Sequence, residues 1–149
     1  MSNNEKKTIG FTVGTFDLFH IGHLNLFKQA KEHCDYLIVG VNTDEWVLKC
    51  KNRPTVISYD DRAAIIAGCR YVDEVVPNDT KSKLELWNKY HFDIAFIGDD
   101  WKGTPVWDKI EAELKTVGCK TIYIPYTSGI STTEIRQKLG EKINKTEEK

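Results

Sequence analysis

The amino-acid sequence predicts an α/β fold, a single domain built on a doubly wound parallel five-stranded sheet. Three observations lead there. Short β-rich runs alternate with helical stretches along the whole chain. The runs are almost continuously apolar, as strands covered on both faces should be. And 149 residues, 40% of them hydrophobic, suffice for one core but not for two.

The first run is Thr8 to Val13, the second Tyr36 to Asn42, the third Glu74 to Val76, the fourth Ile94 to Ile97 and the fifth Thr121 to Ile124. Helical stretches separate them. Gly22 to His33 carries Leu24, Phe27 and Ala30 at helical spacing. Ser58 to Gly68 opens with a cap residue, offers Asp61 at the third position and meets a stop at Gly68. Ser82 to Tyr90, Val106 to Thr116 and Thr132 to Leu139 complete the set. Strand, helix, strand in this alternation implies right-handed crossovers and a Rossmann-like sheet with helices on both faces. The domain is expected over residues 8–139, between a tail at 1–7 and a polar tail at 140–149.

A formal net charge of -1 gives no basic excess for a nucleic-acid partner. The N-terminus has no apolar signal-peptide run, and no stretch approaches the ~18–20 apolar residues of a membrane span. Cys34, Cys50, Cys69 and Cys119 form no Cys-x-x-Cys pair, so free thiols in a reducing cytoplasm are expected and a zinc site is not.

In doubly wound sheets the ligand sits beyond the carboxyl ends of the strands. That rule selects Gly14 to His23, Thr43 to Arg53, Pro77 to Lys83, Gly98 to Trp101 and Pro125 to Thr132. The first segment leaves a strand and opens a helix, where unpaired N–H groups favour a phosphate. Gly14 permits a tight turn there. His20 and His23 stand one helical turn apart, with Gly22 leaving room between them. Two imidazoles can donate to a phosphate whose charge grows during displacement. A pair of histidines at random would more often be surface or capping residues; the Gly-rich strand-to-helix setting favours the anion site. It is neither a Walker loop nor a Gly-x-Gly-x-x-Gly fingerprint, which sets aside a nicotinamide oxidoreductase. At the far end, Ser131 and Thr132 can cap the last helix and face an anion.

Gly14-Thr15-Phe16-Asp17 followed by His20-Ile21-Gly22-His23 resembles the signature of the cytidylyltransferase family, within the His-x-Gly-His nucleotidylyltransferases. Gly129-Ile130-Ser131-Thr132-Thr133 resembles that family's C-terminal motif. Arg70 to Val75 and Gly98-Asp99-Asp100-Trp101 are further matches, all in the expected order. The resemblance implies transfer of CMP from CTP to a small phosphate ester, with release of pyrophosphate and with Mg²⁺ accompanying CTP. It also implies a homodimer. Carried over by position, it puts His20, His23, Arg70 and Ser131 in catalysis. Gly14, Thr15, Phe16, Asp17, Gly98, Asp99, Tyr126, Thr127, Gly129, Ile130 and Thr132 would join them around the nucleotide, with Asp17 organising the loop.

For the acceptor's phosphate, the resemblance points to Lys51, within the cationic set Lys49, Lys51, Arg53 and Arg62, and Lys83 is a second candidate. Glycerol 3-phosphate leads among acceptors, ahead of phosphoethanolamine, phosphocholine, a polyol phosphate or a phosphonate. An adenylyltransferase and a nucleotide-sensing regulatory protein are the alternatives. Two departures stand out. Members acting on glycerol 3-phosphate carry Arg-Thr where this chain has Tyr126-Thr127, so Arg70, Arg136, Lys102 or a metal must compensate, or the substrate differs. The Lys102 to Trp107 segment is also long and brings an extra tryptophan.

Overall fold

The strands β1 (Ile9–Gly14), β2 (Tyr36–Asn42), β3 (Glu74–Asn78), β4 (Ile94–Gly98) and β5 (Lys120–Ile124) pair in parallel in the order β3-β2-β1-β4-β5. This is a computed structural model, describing residues 7–125, 127 and 129–147, with side chains to residue 140. The predicted five-stranded Rossmann-like sheet is the one observed. Strand order reverses beside β1, whose partners are β2 on one side and β4 on the other, with Phe11 opposite both Ile38 and Ala95. A crevice therefore opens where β1 and β4 diverge.

Period-two alternation divides the core between the two faces of the sheet. Leu37, Val39 and Val41 of β2 and Ile94 and Phe96 of β4 join Phe27 and Ala30 of α1 (Ile21–Lys31) and Ile66 of α3 (Tyr59–Ala67). Ile38 and Ala95, from the same strands, turn to the other face. There they join Phe11, Leu86 of α4 (Lys83–Tyr90) and Leu114 of α5 (Pro105–Lys115). Each buried large side chain contributes about 1.5–3 kcal/mol relative to exposure. Slipping a strand by one residue would expose its whole set, which fixes the register.

Two elements differ from expectation. The segment after β2, which is not among the predicted helices, is the helix α2 (Asp44–Lys51). Thr43 caps it by accepting from Trp46 N at 3.2 Å, and Asn52 closes it at φ 56°. Asp44 and Glu45 fill its first turn and Lys49 and Lys51 its last, so its ends agree with the macrodipole. The last helix, α6 (Thr132–Glu147), passes through Gly140 instead of ending at Leu139. Residues 140–147 are thus helical, because Lys and Glu around a single glycine outweigh its cost of about 1 kcal/mol. The predicted tail at 1–7 falls, except for Lys7, outside the described residues.

Candidate active site

A cleft of about 370 Å³ opens at the carboxyl ends of the strands. Its walls come from the β1–α1 loop, from the end of α2, from the turn after β4 and from the start of α6. Gly14 and Arg136, at opposite ends of the sequence, thereby face one space.

His20 is the N-cap of α1. Its Nδ1 accepts from Gly22 N at 3.0 Å, while His23 Nδ1 accepts from His20 N at 3.2 Å. The capping alternative is therefore correct, and it does not compete with the chemical one. A ring nitrogen that accepts carries no proton, so each neutral ring holds its proton on Nε2. Capping fixes the tautomer that donates. The rings stack with centroids 3.8 Å apart, and the edge of Phe16 meets His23 at 5.3 Å. Gly22 leaves space for His20 itself, since a Cβ there would lie 2.8 Å from the ring's Cε1. Burial, followed by the charge of His20, pushes the His23 pKa down to about 4 against the pull of Asp17; burial also lowers His20. Both imidazoles are neutral donors near pH 7.

This sets a pH dependence. Unfolded, His23 takes a proton near its ordinary value of 6.5; folded, it does so only near 4. The stability that neutral His23 contributes is complete above pH 6.5 and is lost as pH falls toward 4. The slope is at most about 1.4 kcal/mol per pH unit. Thermal melts across this range should fall more steeply for the wild type than for His23→Asn, which keeps an acceptor without titrating. Parallel curves would disprove the assignment.

Asp17, 3% exposed, holds the loop. Its carboxylate accepts from Val56 N at 2.8 Å, Ile57 N at 2.9 Å and Leu18 N at 3.1 Å, and pairs with Arg136 at 2.5 Å. Thr132 Oγ1 donates to the Asp17 carbonyl at 2.9 Å, tying the two end motifs together. Phe16 and Leu18 flank this aspartate at φ 54° and 52°, a conformation that costs non-glycine residues energy and needs such anchoring. Behind the loop Arg62, 1% exposed, donates to the carbonyls of Thr15, Asn42 and Ile57 and to Asp44.

Of the residues singled out in the sequence, Gly14, Thr15, Phe16, Asp17, His20, His23, Lys51, Gly98, Thr127, Ile130, Ser131 and Thr132 line the cleft. Ser131 also caps α6, its Oγ accepting from Glu134 N at 3.0 Å. Tyr126 lies outside the described residues. Gly129 stands at φ +83°, the left-handed turn that delivers Ile130 and Ser131 to the wall.

Other expected members are elsewhere. Arg70 does not line the cleft: its guanidinium lies over the Tyr71 ring at 5.8 Å, in the turn between α3 and β3. Lys83 sits at the first turn of α4, over the Trp107 ring at 5.6 Å, where burial lowers its pKa. Trp107 is accordingly a core residue, whereas Trp101 lines the cleft. Lys49 lies over Trp46, Lys102 over Tyr123, and Arg62 is a buried brace instead of a ligand cation. In the turn after β4 it is Asp100, not Asp99, that lines the cleft. Of the compensating cations proposed for Tyr126, only Arg136 is present at the wall. Its signal was its spacing: four residues after Thr132, it shares that residue's helix face.

Known proteins resemble this chain in sequence and in fold. A family model described as cytidylyltransferase-like matches residues 11–138. The chain is 40% identical over 136 residues to the glycerol-3-phosphate cytidylyltransferase of Bacillus subtilis, covering 90% of this chain and 97% of that one. It is 37% identical over 129 residues to the Staphylococcus aureus protein of the same name, covering 86% and 92%. In fold it is similar to a lipopolysaccharide core biosynthesis protein from Thermoplasma volcanium, with a TM-score of 0.68 at 20% identity over 82% of this chain and 98% of that one.

Proposed function

Because this chain belongs to the cytidylyltransferase-like family of nucleotidyltransferases, we propose that it transfers CMP from CTP to glycerol 3-phosphate and releases pyrophosphate. The observation that carries this reading is the pair of neutral Nε2–H groups that the capping bonds leave without a partner among the described residues, in a cleft that Lys51 and Arg136 also line. The substrate assignment draws on the names of the relatives.

In the proposed reaction a phosphate oxygen of the acceptor attacks the α-phosphorus of CTP in line. The bond from that phosphorus to the bridging oxygen breaks, and pyrophosphate leaves with the electron pair. A phosphate dianion is already nucleophilic, so the reaction requires no strong general base. The rate comes from positioning and from charge stabilisation. His20 and His23 donate to the oxygens on which charge accumulates, and Ser131, whose oxygen accepts within α6, keeps its hydroxyl proton to donate. Mg²⁺ belongs to the substrate as MgCTP, held by phosphate oxygens. Asp17 is committed to Arg136 and to backbone N–H groups. The reading includes a cytoplasmic homodimer. Among the described residues no helix is long and apolar enough to cross a membrane.

A pyrophosphate-release screen crossing CTP, ATP and UTP with phosphate esters and phosphonates tests the proposal. CTP with glycerol 3-phosphate should give the fastest release. Preference for ATP, or for another acceptor, would replace the substrate assignment. Stabilisation by CTP without release across the panel would replace transfer by nucleotide sensing.

A further inference from the structure

A chain of side-chain amides runs from the edge strand β3 to the cleft. Asn42 ends β2 and Asn78 ends β3, and the two are register partners, so their side chains share a face of the sheet. Neither is among the residues that line the cleft, whereas Thr15, one residue past β1, is. Asn78 is 3% exposed, and its Nδ2 donates to the Thr80 carbonyl at 3.1 Å and to Asn42 Oδ1 at 2.8 Å. Asn42 Nδ2 in turn donates to Thr15 Oγ1 at 3.1 Å. The Thr80 carbonyl can only accept, and that fixes every polarity in the chain. It requires the NH₂ of Asn78 on its side. That NH₂ requires the oxygen of Asn42, and the NH₂ of Asn42 is then left for Thr15. Turned over, Asn78 would set oxygen against oxygen twice. It holds its orientation although its own Oδ1 is buried and, among the described residues, has no partner, which is a cost.

A hydroxyl oxygen that accepts from an amide keeps its own proton for another partner. Among the described residues no acceptor takes the Thr15 proton. We infer that Asn42, locked by Asn78, is a positioning residue that reserves the Thr15 hydroxyl proton for a phosphate oxygen of the bound nucleotide. This rests on the transfer reading above, in which the same loop carries His20 and His23 to that phosphate. The amides do at Thr15 what the capping bonds do at the histidines: they occupy the accepting atom and leave the donating one to the substrate. A donor oriented in advance costs no reorganisation when charge develops.

A double-mutant cycle on kcat/KM for CTP tests this. Thr15→Val deletes the hydroxyl at nearly constant shape and should lower kcat/KM about 10- to 100-fold, the loss of a hydrogen bond to a charged group. Asn42→Asp keeps the shape and the bond from Asn78 but offers Thr15 an acceptor that captures its proton, so it should lose as much. In the Thr15→Val background, Asn42→Asp should cost less than about a further threefold, because a residue that acts through Thr15 has nothing left to act on. Equal costs in both backgrounds would put the effect in the new charge instead of the hydroxyl and overturn the inference. Asn42→Leu frees the hydroxyl to turn and should lose less than Asn42→Asp; the reverse order would mark a packing role and also overturn it. Asn78→Ala, which lets the Asn42 amide turn over, should fall between wild type and Asn42→Asp, and it carries the test if Asn42→Asp does not fold. Wild-type kcat/KM in Asn78→Ala would remove the lock and overturn the inference. Calorimetric titration with MgCTP reads the hydroxyl without turnover. The same ranking in Kd, in a chain that releases no pyrophosphate, would refute the transfer reading and uphold the positioning. Normal release from CTP and glycerol 3-phosphate, unchanged in Thr15→Val and Asn42→Asp, would do the reverse.

Discussion

The double variant His20→Asn, His23→Asn is expected to release pyrophosphate from CTP and acceptor about four orders of magnitude more slowly than wild type, with its fold intact. One preorganised donor to a developing charge is worth about 10²- to 10³-fold, and two donors that act on one phosphate need not be additive. Asparagine is the informative replacement because the two ring nitrogens have separate tasks. Its amide oxygen can take the place of Nδ1 and accept from Gly22 N or His20 N, so the start of α1 stays capped. Its side chain is too short to reach where Nε2–H stands.

The alanine pair removes both functions and should also lose about 1 kcal/mol per cap. Single-turnover release, read beside circular dichroism and thermal melting, separates the two effects. Near-wild-type release by the asparagine pair would refute the donor role. Equal melting temperatures for the asparagine and alanine pairs would refute the capping role.

The parts of this site that are local in sequence were legible. Gly14 to His23 lies on one strand-to-helix turn, so its spacing alone predicts a shared surface, and the same holds for Gly129 to Thr132. What joins them was not legible. The Thr132 hydroxyl finds the Asp17 carbonyl across 115 residues, and no periodicity encodes that contact. Cations were the least readable class. Long flexible side chains near strand ends look alike in sequence, and the fold sends them to different fates. Lys51 and Arg53 reach the cleft, Lys49 and Lys83 lie over tryptophans, and Arg62 goes into the interior. The interior position has a physical cause that appears only after folding. Three chain segments end together behind the Thr15 loop and leave carbonyls without partners, and a guanidinium has enough donors to serve them all. The helix α2 is a different case: its Thr43 cap, its end charges and Asn52 are all written in the sequence, but at eight residues it is too short for apolar periodicity to mark it.

Arg62 therefore carries the second large prediction. Arg62→Met should lower stability by about 3–5 kcal/mol, because it leaves buried acceptors without donors. In a chain of this length that amounts to roughly 10 °C of melting temperature. Asp44 contributes little to the penalty, since its side chain is 42% exposed and can hydrate. The cost comes from the carbonyls of Thr15, Asn42 and Ile57, which accept at 2.7, 2.9 and 2.9 Å. The first belongs to the loop that carries Phe16 and Asp17, so turnover should fall as well, through a site held less firmly. Arg62→Lys should recover only part of the stability, because a single ammonium cannot span carbonyls on three segments. The competing role, a surface cation for the acceptor phosphate, makes the opposite forecast: unchanged melting in Arg62→Met and a large rise in acceptor KM. Thermal denaturation and acceptor titration of the same two variants decide between them. A guanidinium 1% exposed and bonded to four groups answers to the fold before it answers to any ligand.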